Sequence, residues 1–122
     1  MPPATHNHEA LTVEVLEDPS EVRVTFRGRS AAREPGQFLI PILRDSLQRA
    51  GDTKRPLVLD FSSIDYMNSS TFTPLVKLLD EAARGGHRVL VEFAKDKKWQ
   101  SLSFAALRAF ETSDGRVSFR GK

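Results

Sequence analysis

Cysteine is absent from the 122 residues, so a disulfide framework, a thiolate metal site and a cysteine nucleophile are excluded. Histidine is scarce. His6, His8 and His87 are the only three, and no Ser/His/Asp triad can be placed around them. Glycine loops that cradle phosphates, the Gly-x-Ser-x-Gly elbow and the His-Glu-x-x-His zinc pattern are missing as well. The chain is therefore expected not to be an enzyme and to need no cofactor. No apolar run approaches the roughly 20 residues of a membrane helix, and residues 1–10 lack an apolar signal core, so a cytoplasmic protein with no membrane partner is expected. Charge of one sign is lacking too, the formal net being +2. Trp99 is the only tryptophan. Without a dense basic stripe and exposed aromatics, nucleic acid is not an expected partner.

What is present describes a folded domain. A hydrophobic content of 39% beside 28% charged residues suits an ordinary globule rather than a disordered chain. The length suits one domain that buries roughly two-thirds of its extended surface, expected over 11–122, behind a disordered tail at 1–10 that holds two prolines and two histidines. Charge is unevenly spread: residues 1–80 carry nine basic and eleven acidic side chains, residues 81–122 nine and five.

Residues 11–16 and 21–27 alternate apolar and polar, with Val22, Val24 and Phe26 on one face. Asp18-Pro19-Ser20 turns between them, which predicts an antiparallel hairpin whose first strand lies at the sheet edge. A loop is expected over 28–36. A helix follows over 37–50, with Phe38, Ile42 and Leu47 toward the core and Pro41 predicting a kink or a late start. Residues 57–61 are apolar except for Asp60, as in a central parallel strand. A second helix is expected over 70–84, capped by Ser69 or Ser70, with Pro74 in its first turn and Gly85-Gly86 at its end. A strand over 88–93, a third helix over 97–110 capped by Asp96, and a strand over 117–120 complete the pattern. In the third helix Trp99, Leu102, Ala106 and Phe110 share a face. Alternating elements of this kind predict an α/β fold: a mixed sheet, mostly parallel, with an antiparallel edge hairpin and three to four helices.

The segment 57–93 is the most informative. Where its strand ends, hydroxyls cluster at Ser69, Ser70, Thr71 and Thr73, ahead of the apolar stripe Leu75, Val76, Leu78, Leu79. Strand-to-helix handovers at the carboxyl edge of a sheet are where open α/β folds place ligands and partners. Two readings stand side by side: serines that only cap a helix, and serines held outward as acceptors of a phosphate that a helix N-terminus tolerates. Lys95, Lys97 and Lys98 likewise read either as a solvated helix start or as an electropositive rim on the same face. Asp60 reads as an acceptor that organises its loop.

Asp60-Phe61-Ser62-Ser63-Ile64-Asp65-Tyr66-Met67-Asn68-Ser69-Ser70 resembles the phosphorylation segment of STAS domains, the modules of anti-sigma factor antagonists and of sulfate-transporter tails. That family carries Asp-Ser-Ser-Gly at the helix start. Asn68 stands here at the Asp position and Thr71 at the Gly position, and of the family's earlier Gly-polar-Leu-Asp segment only Gly28 matches. The resemblance implies a STAS-like fold and a phosphorylatable interaction module in bacterial-type partner switching. Ser70 is then the acceptor, Ser69 the runner-up and Thr71 a distant third. A serine kinase of the histidine-kinase-like ATPase type and a PP2C-type phosphatase are the implied partners. Gly28, Arg29, Asn68, Ser69, Ser70, Thr71, Lys95 and Lys97 form the implied partner-binding surface. A non-phosphorylated scaffold and a small-ligand-binding regulatory domain are the alternatives.

Overall fold

The computed structural model describes residues 3–122. Seven strands and three helices appear among them, in the order β1 (Ala4–His8), β2 (Leu11–Glu17), β3 (Val22–Ser30), α1 (Gly36–Asp52), β4 (Leu57–Asp60), β5 (Ile64–Met67), α2 (Ser69–Gly85), β6 (Val89–Phe93), α3 (Lys98–Leu107) and β7 (Val117–Gly121), with a 3-10 turn at Arg108–Phe110. The sheet runs β1-β2-β3-β4-β6-β7. β1, β2 and β3 pair antiparallel, while β3-β4, β4-β6 and β6-β7 are parallel. This is the mixed, STAS-like α/β architecture expected from the sequence.

One face of the sheet holds the core. Val22, Val24, Phe26, Leu57, Leu59, Val89, Val91, Val117 and Phe119 point to it from successive strands. α1 meets them with Leu39, Leu43, Leu47 and Ala50, and α2 with Leu75, Leu78, Leu79 and Ala82. These spacings of three, four and seven put each set on one helical stripe. Phe38 and Ile42, expected in the core, flank it half-buried. Pro41 lies inside α1, which begins ahead of it rather than at it.

The residues correct five further expectations. Ala4–His8 is a strand paired along its length with β2, not a disordered tail; its five side chains are mostly exposed, so backbone pairing rather than apolar pattern makes it a strand, and Met1 and Pro2 lie outside the described residues. The edge of the sheet is therefore β1, not the strand at 11–16. β3 continues through the expected loop to Ser30 by passing a register shift at Gly28/Arg29. In α3 the buried residues are Gln100, Phe104 and Leu107, whereas Leu102 is 66% exposed. That helix carries apolar residues on most sides, so periodicity did not choose its face, and Lys97 rather than Asp96 occupies the cap position without a side-chain bond.

All three helices pack on the core face. On the opposite face Thr25, Asp60, Glu92 and Arg120 stand in one cross-strand row. Glu92 is fully buried there and Asp60 nearly so. Arg23 donates to both carboxylates, at 3.1 Å to Asp60 and 2.7 Å to Glu92. Lys122 reaches both at 3.1 Å, and Arg120 also donates to Glu92. Burial works against both charges, yet these hydrogen bonds, with those from Ser62 to Asp60, outweigh it and hold both carboxyls below their usual range. The folded state thus favours the ionised form. Its contribution is complete above the ordinary values of 3.8 and 4.5 and is lost as pH falls through the lowered folded ones. Glu92→Gln should be less stable at neutral pH, because Arg23 loses a charged partner, and should show a shallower loss of stability below pH ~4.5. Urea titrations at a series of pH values measure both, and an unchanged acid slope would remove Glu92 from the account.

Candidate functional site

The site starts from the kink between β4 and β5. Phe61 follows the first strand and Ile64 opens the second, with the Ile64 amide donating back to the Phe61 carbonyl at 3.1 Å. β4 pairs the first half of β3 and β5 the second. Two strands in succession therefore run along one long neighbour, and the second delivers Asn68 beside Ser30, where the Asn68 amide donates to the Ser30 carbonyl at 3.0 Å. β5 was not legible in the sequence, since only its end residues Ile64 and Met67 are buried and no period of two results.

Asp60 acts as expected of a loop organiser. One oxygen accepts from the Ser62 amide at 3.0 Å and from its hydroxyl at 2.6 Å. Gln100, which sequence reasoning passed over, completes the clamp from α3. Its amide nitrogen donates to the carbonyls of Phe61 and Ile64, both at 2.9 Å, and its oxygen accepts from the Ala94 amide at 2.7 Å. One buried side chain thus ties the ends of β4 and β6 to the start of β5. Its signal was the spacing to Phe104 and Leu107, four and seven residues on.

α2 is capped by Asn68, not by Ser69 or Ser70. The Asn68 side-chain oxygen accepts from the Thr71 amide at 3.0 Å and from the Thr71 hydroxyl at 2.7 Å. Its amide nitrogen donates to the Ala32 carbonyl at 2.9 Å. Because Thr71 donates its proton to Asn68, the 2.7 Å contact between the Ser30 and Thr71 hydroxyls has Ser30 as donor. Ser30 and Thr71 are only 2% and 3% exposed. The result is a closed relay from β3 through Thr71 and Asn68 to the loop after β3. It gives both departures from the family pattern a physical reason. An aspartate at 68 would set an oxygen against the Ala32 carbonyl, and a glycine at 71 would remove the relay's central hydroxyl. The relay also withdraws Thr71 as an acceptor for modification, since its hydroxyl is buried and committed.

Asn68→Asp should accordingly destabilise the fold by about 1–2 kcal/mol, although aspartate is ordinarily as good a cap as asparagine. Denaturant unfolding of the variant measures this, and unchanged or raised stability would mean that the Ala32 contact carries nothing.

Ser69 and Ser70 occupy the first two helical positions and are exposed, and neither hydroxyl has a hydrogen-bond partner among the described residues. Arg29 is exposed, with its guanidinium 4.7 Å from the centre of the Tyr66 ring. The Lys97 ammonium donates to the Ile64 carbonyl at 3.2 Å and sits 3.7 Å from Asp65. Lys95 lies beyond β6, exposed, with its backbone bonded to Lys122. Through Ser30 the fold sets Gly28 and Arg29, at the end of β3, beside Asn68 and Thr71 at the start of α2, whereas Lys97 meets the opposite end of β5, at Ile64 and Asp65. Lys95 stands one strand further out. Gly28 serves the backbone: its φ is +89° and a Cβ would lie 2.2 Å from the Ala10 carbonyl oxygen, so any side chain there displaces the β2–β3 pair.

No protein-family model and no curated protein matches this sequence. Solved structures match the fold. An anti-sigma factor antagonist from Mycobacterium paratuberculosis is 13% identical, with a TM-score of 0.64 over 88% of this chain and 92% of that one. SiaC of Pseudomonas aeruginosa is 21% identical, with a TM-score of 0.64 over 100% and 98%. A third match, 20% identical with a TM-score of 0.63 over 98% and 99%, comes from the structure of the Pseudomonas aeruginosa diguanylate cyclase SiaD in complex with its activator SiaC. At these identities the likeness establishes the fold.

Proposed function

We propose that this chain is a phosphorylatable protein-interaction module of a partner-switching system, with Ser70 as the switch and Ser69 as the second acceptor. The observation that supports this reading best is the division of labour at the start of α2. Asn68 does the capping, so both serine hydroxyls stand free and outward on a rigid helix. A kinase can take either one without breaking an internal hydrogen bond. The phosphate adds about −1.5 to −2 charges, which the helix N-terminus tolerates. A partner lying flat on the unmodified edge would have to desolvate that dianion and is released. Asn68 adds no carboxylate beside it. The module binds and does not catalyse. Its expected partners are a serine kinase of the histidine-kinase-like ATPase type, a PP2C-type phosphatase and a downstream regulator, all in the cytoplasm. That the neighbour SiaC is an activator bound to a cyclase favours a protein rather than a small molecule as the target.

A non-switching scaffold is the second reading. It is favoured by the Thr71 amide, which Asn68 already occupies and which a phosphate therefore cannot use. Intact mass of the protein from its native cell, before and after phosphatase treatment, separates the two. The switch predicts one removable phosphate, placed on Ser70 or Ser69 by peptide fragmentation. A mass that matches the unmodified chain while the kinase is active sinks the switch.

A further inference from the structure

The arginines of this chain divide into two groups. Most are held by a carboxylate; among the described residues Arg29, Arg33, Arg88 and Arg108 are not. Two of these four lie on the short stretch from the end of β3 to the start of α1, and each adjoins an acceptor of Asn68. Arg29 precedes Ser30, whose carbonyl accepts from the Asn68 amide at 3.0 Å. Arg33 follows Ala32, whose carbonyl accepts from the Asn68 side chain at 2.9 Å. Asn68 itself directly precedes Ser69. Both arginines are exposed. Arg29 is in register with Tyr66 on β5, and its guanidinium stacks over that ring. Tyr66 is 40% exposed, and its hydroxyl has no hydrogen-bond partner among the described residues. A guanidinium stacked on a ring and free of any acid keeps its planar N–H fork open for a carboxylate, with less rotamer freedom left to lose on binding. The acids of this edge are turned elsewhere: Glu9 to His8 at 3.2 Å and Glu34 to Gln37 at 3.0 Å.

We infer that Arg29, Tyr66 and Arg33 anchor the protein partner of the switch, and that the partner meets them with an acidic surface whose carboxylates pair with the two guanidinium groups. This rests on the proposed switch and names the chemistry of its partner. The lysines are not the anchor: Lys97 is engaged by the Ile64 carbonyl and Asp65, and Lys95 stands beyond β6. A small anion is a poorer occupant than a protein surface, because the cavities that Arg29 and Arg33 help to line, of about 50 and 260 Å³, are both lined by Glu9 as well. Tyrosine and arginine are also the residue types that carry much of the binding energy in protein interfaces. A phosphate on Ser70 then sets a dianion against an acidic surface, so like-charge repulsion adds to the cost of desolvation in releasing the partner.

The probe is the serine kinase that modifies this chain, purified from the native cell by that activity, with affinity measured by calorimetry. Arg29→Ala and Tyr66→Ala should each weaken binding by about 10-fold or more. The double variant should lose little beyond either single one, because the ring holds the guanidinium. Arg29→Lys keeps the charge but gives up the planar fork, and should not restore the affinity. Arg33→Gln should flatten the salt dependence of binding. Arg88→Gln and Arg108→Gln, which change acid-free arginines elsewhere, should bind as the parent does. Thermal unfolding of each variant checks that the fold is kept. Parent-like affinity in both Arg29→Ala and Tyr66→Ala overturns the inference; if Ser70→Asp still weakens binding in that case, the switch itself survives. An equal loss in Arg88→Gln and Arg29→Ala also overturns it, since net charge alone then explains the attraction. So does tight binding of single-stranded RNA or DNA that is lost in Arg29→Ala, which would assign the stacked pair to nucleic acid. A native cell in which no kinase acts on the chain removes the switch and the inference together.

Discussion

Ser70→Asp is expected to fold as well as the parent and to lose affinity for the cognate kinase by at least about 100-fold, because a fixed negative charge must be desolvated in the contact. Ser70→Ala should keep full affinity. Neither change should alter stability by more than about 0.5 kcal/mol, since an exposed hydroxyl with no partner is being replaced. Here the structure sharpens an expectation. Had Ser70 been the cap, the alanine variant would have lost about 1 kcal/mol, and stability and binding would have been entangled. With Asn68 as the cap, the two readouts are independent. Calorimetry that finds equal affinity for the alanine and aspartate variants would leave only the scaffold reading.

Phe104→Ala should cost about 3–5 kcal/mol, the range for truncating a fully buried aromatic side chain. The ring is inaccessible and lies 5.2 Å from Phe61, 6.0 Å from Phe72 and 5.5 Å from Phe93. Phe61 stacks in turn on Phe26 at 4.2 Å. One side chain of α3 thus joins β3, β4, α2 and β6. It also sits one turn from Gln100, so its loss should loosen the clamp on the β4–β5 kink. Amide exchange at Ile64 and Ala94 should then accelerate beyond the change expected from global stability alone. A loss under about 1 kcal/mol, or exchange at those amides that follows global unfolding only, would mean that α3 holds the site less firmly than its geometry indicates.

Much of this arrangement is written in local pattern. The continuous apolar run at β4, the stripe of Leu75, Leu78 and Leu79, and the glycine pair after α2 are decided by residues adjacent in sequence. They sufficed for five of the seven strands and the three helices, the parallel part of the sheet and the position of the serines at a strand-to-helix edge. The STAS-like resemblance rested on the same stretch. What local pattern could not decide depends on residues far apart. Ala4–His8 is a strand only because β2 offers it a ladder. β5 exists because β3 is long enough to pair two strands in turn. α3, apolar on most sides, takes its face from the rings of Phe61 and Phe93. Above all, the cap passes from the serines to Asn68 because the Ala32 carbonyl and the Ser30 hydroxyl, more than 30 residues earlier in the chain, complete its hydrogen bonds. The sequence by itself determined which groups stand at this edge. The tertiary structure decided which of them are consumed in holding it and which are left free to react, because a polar group buried by distant neighbours must find its partners among them.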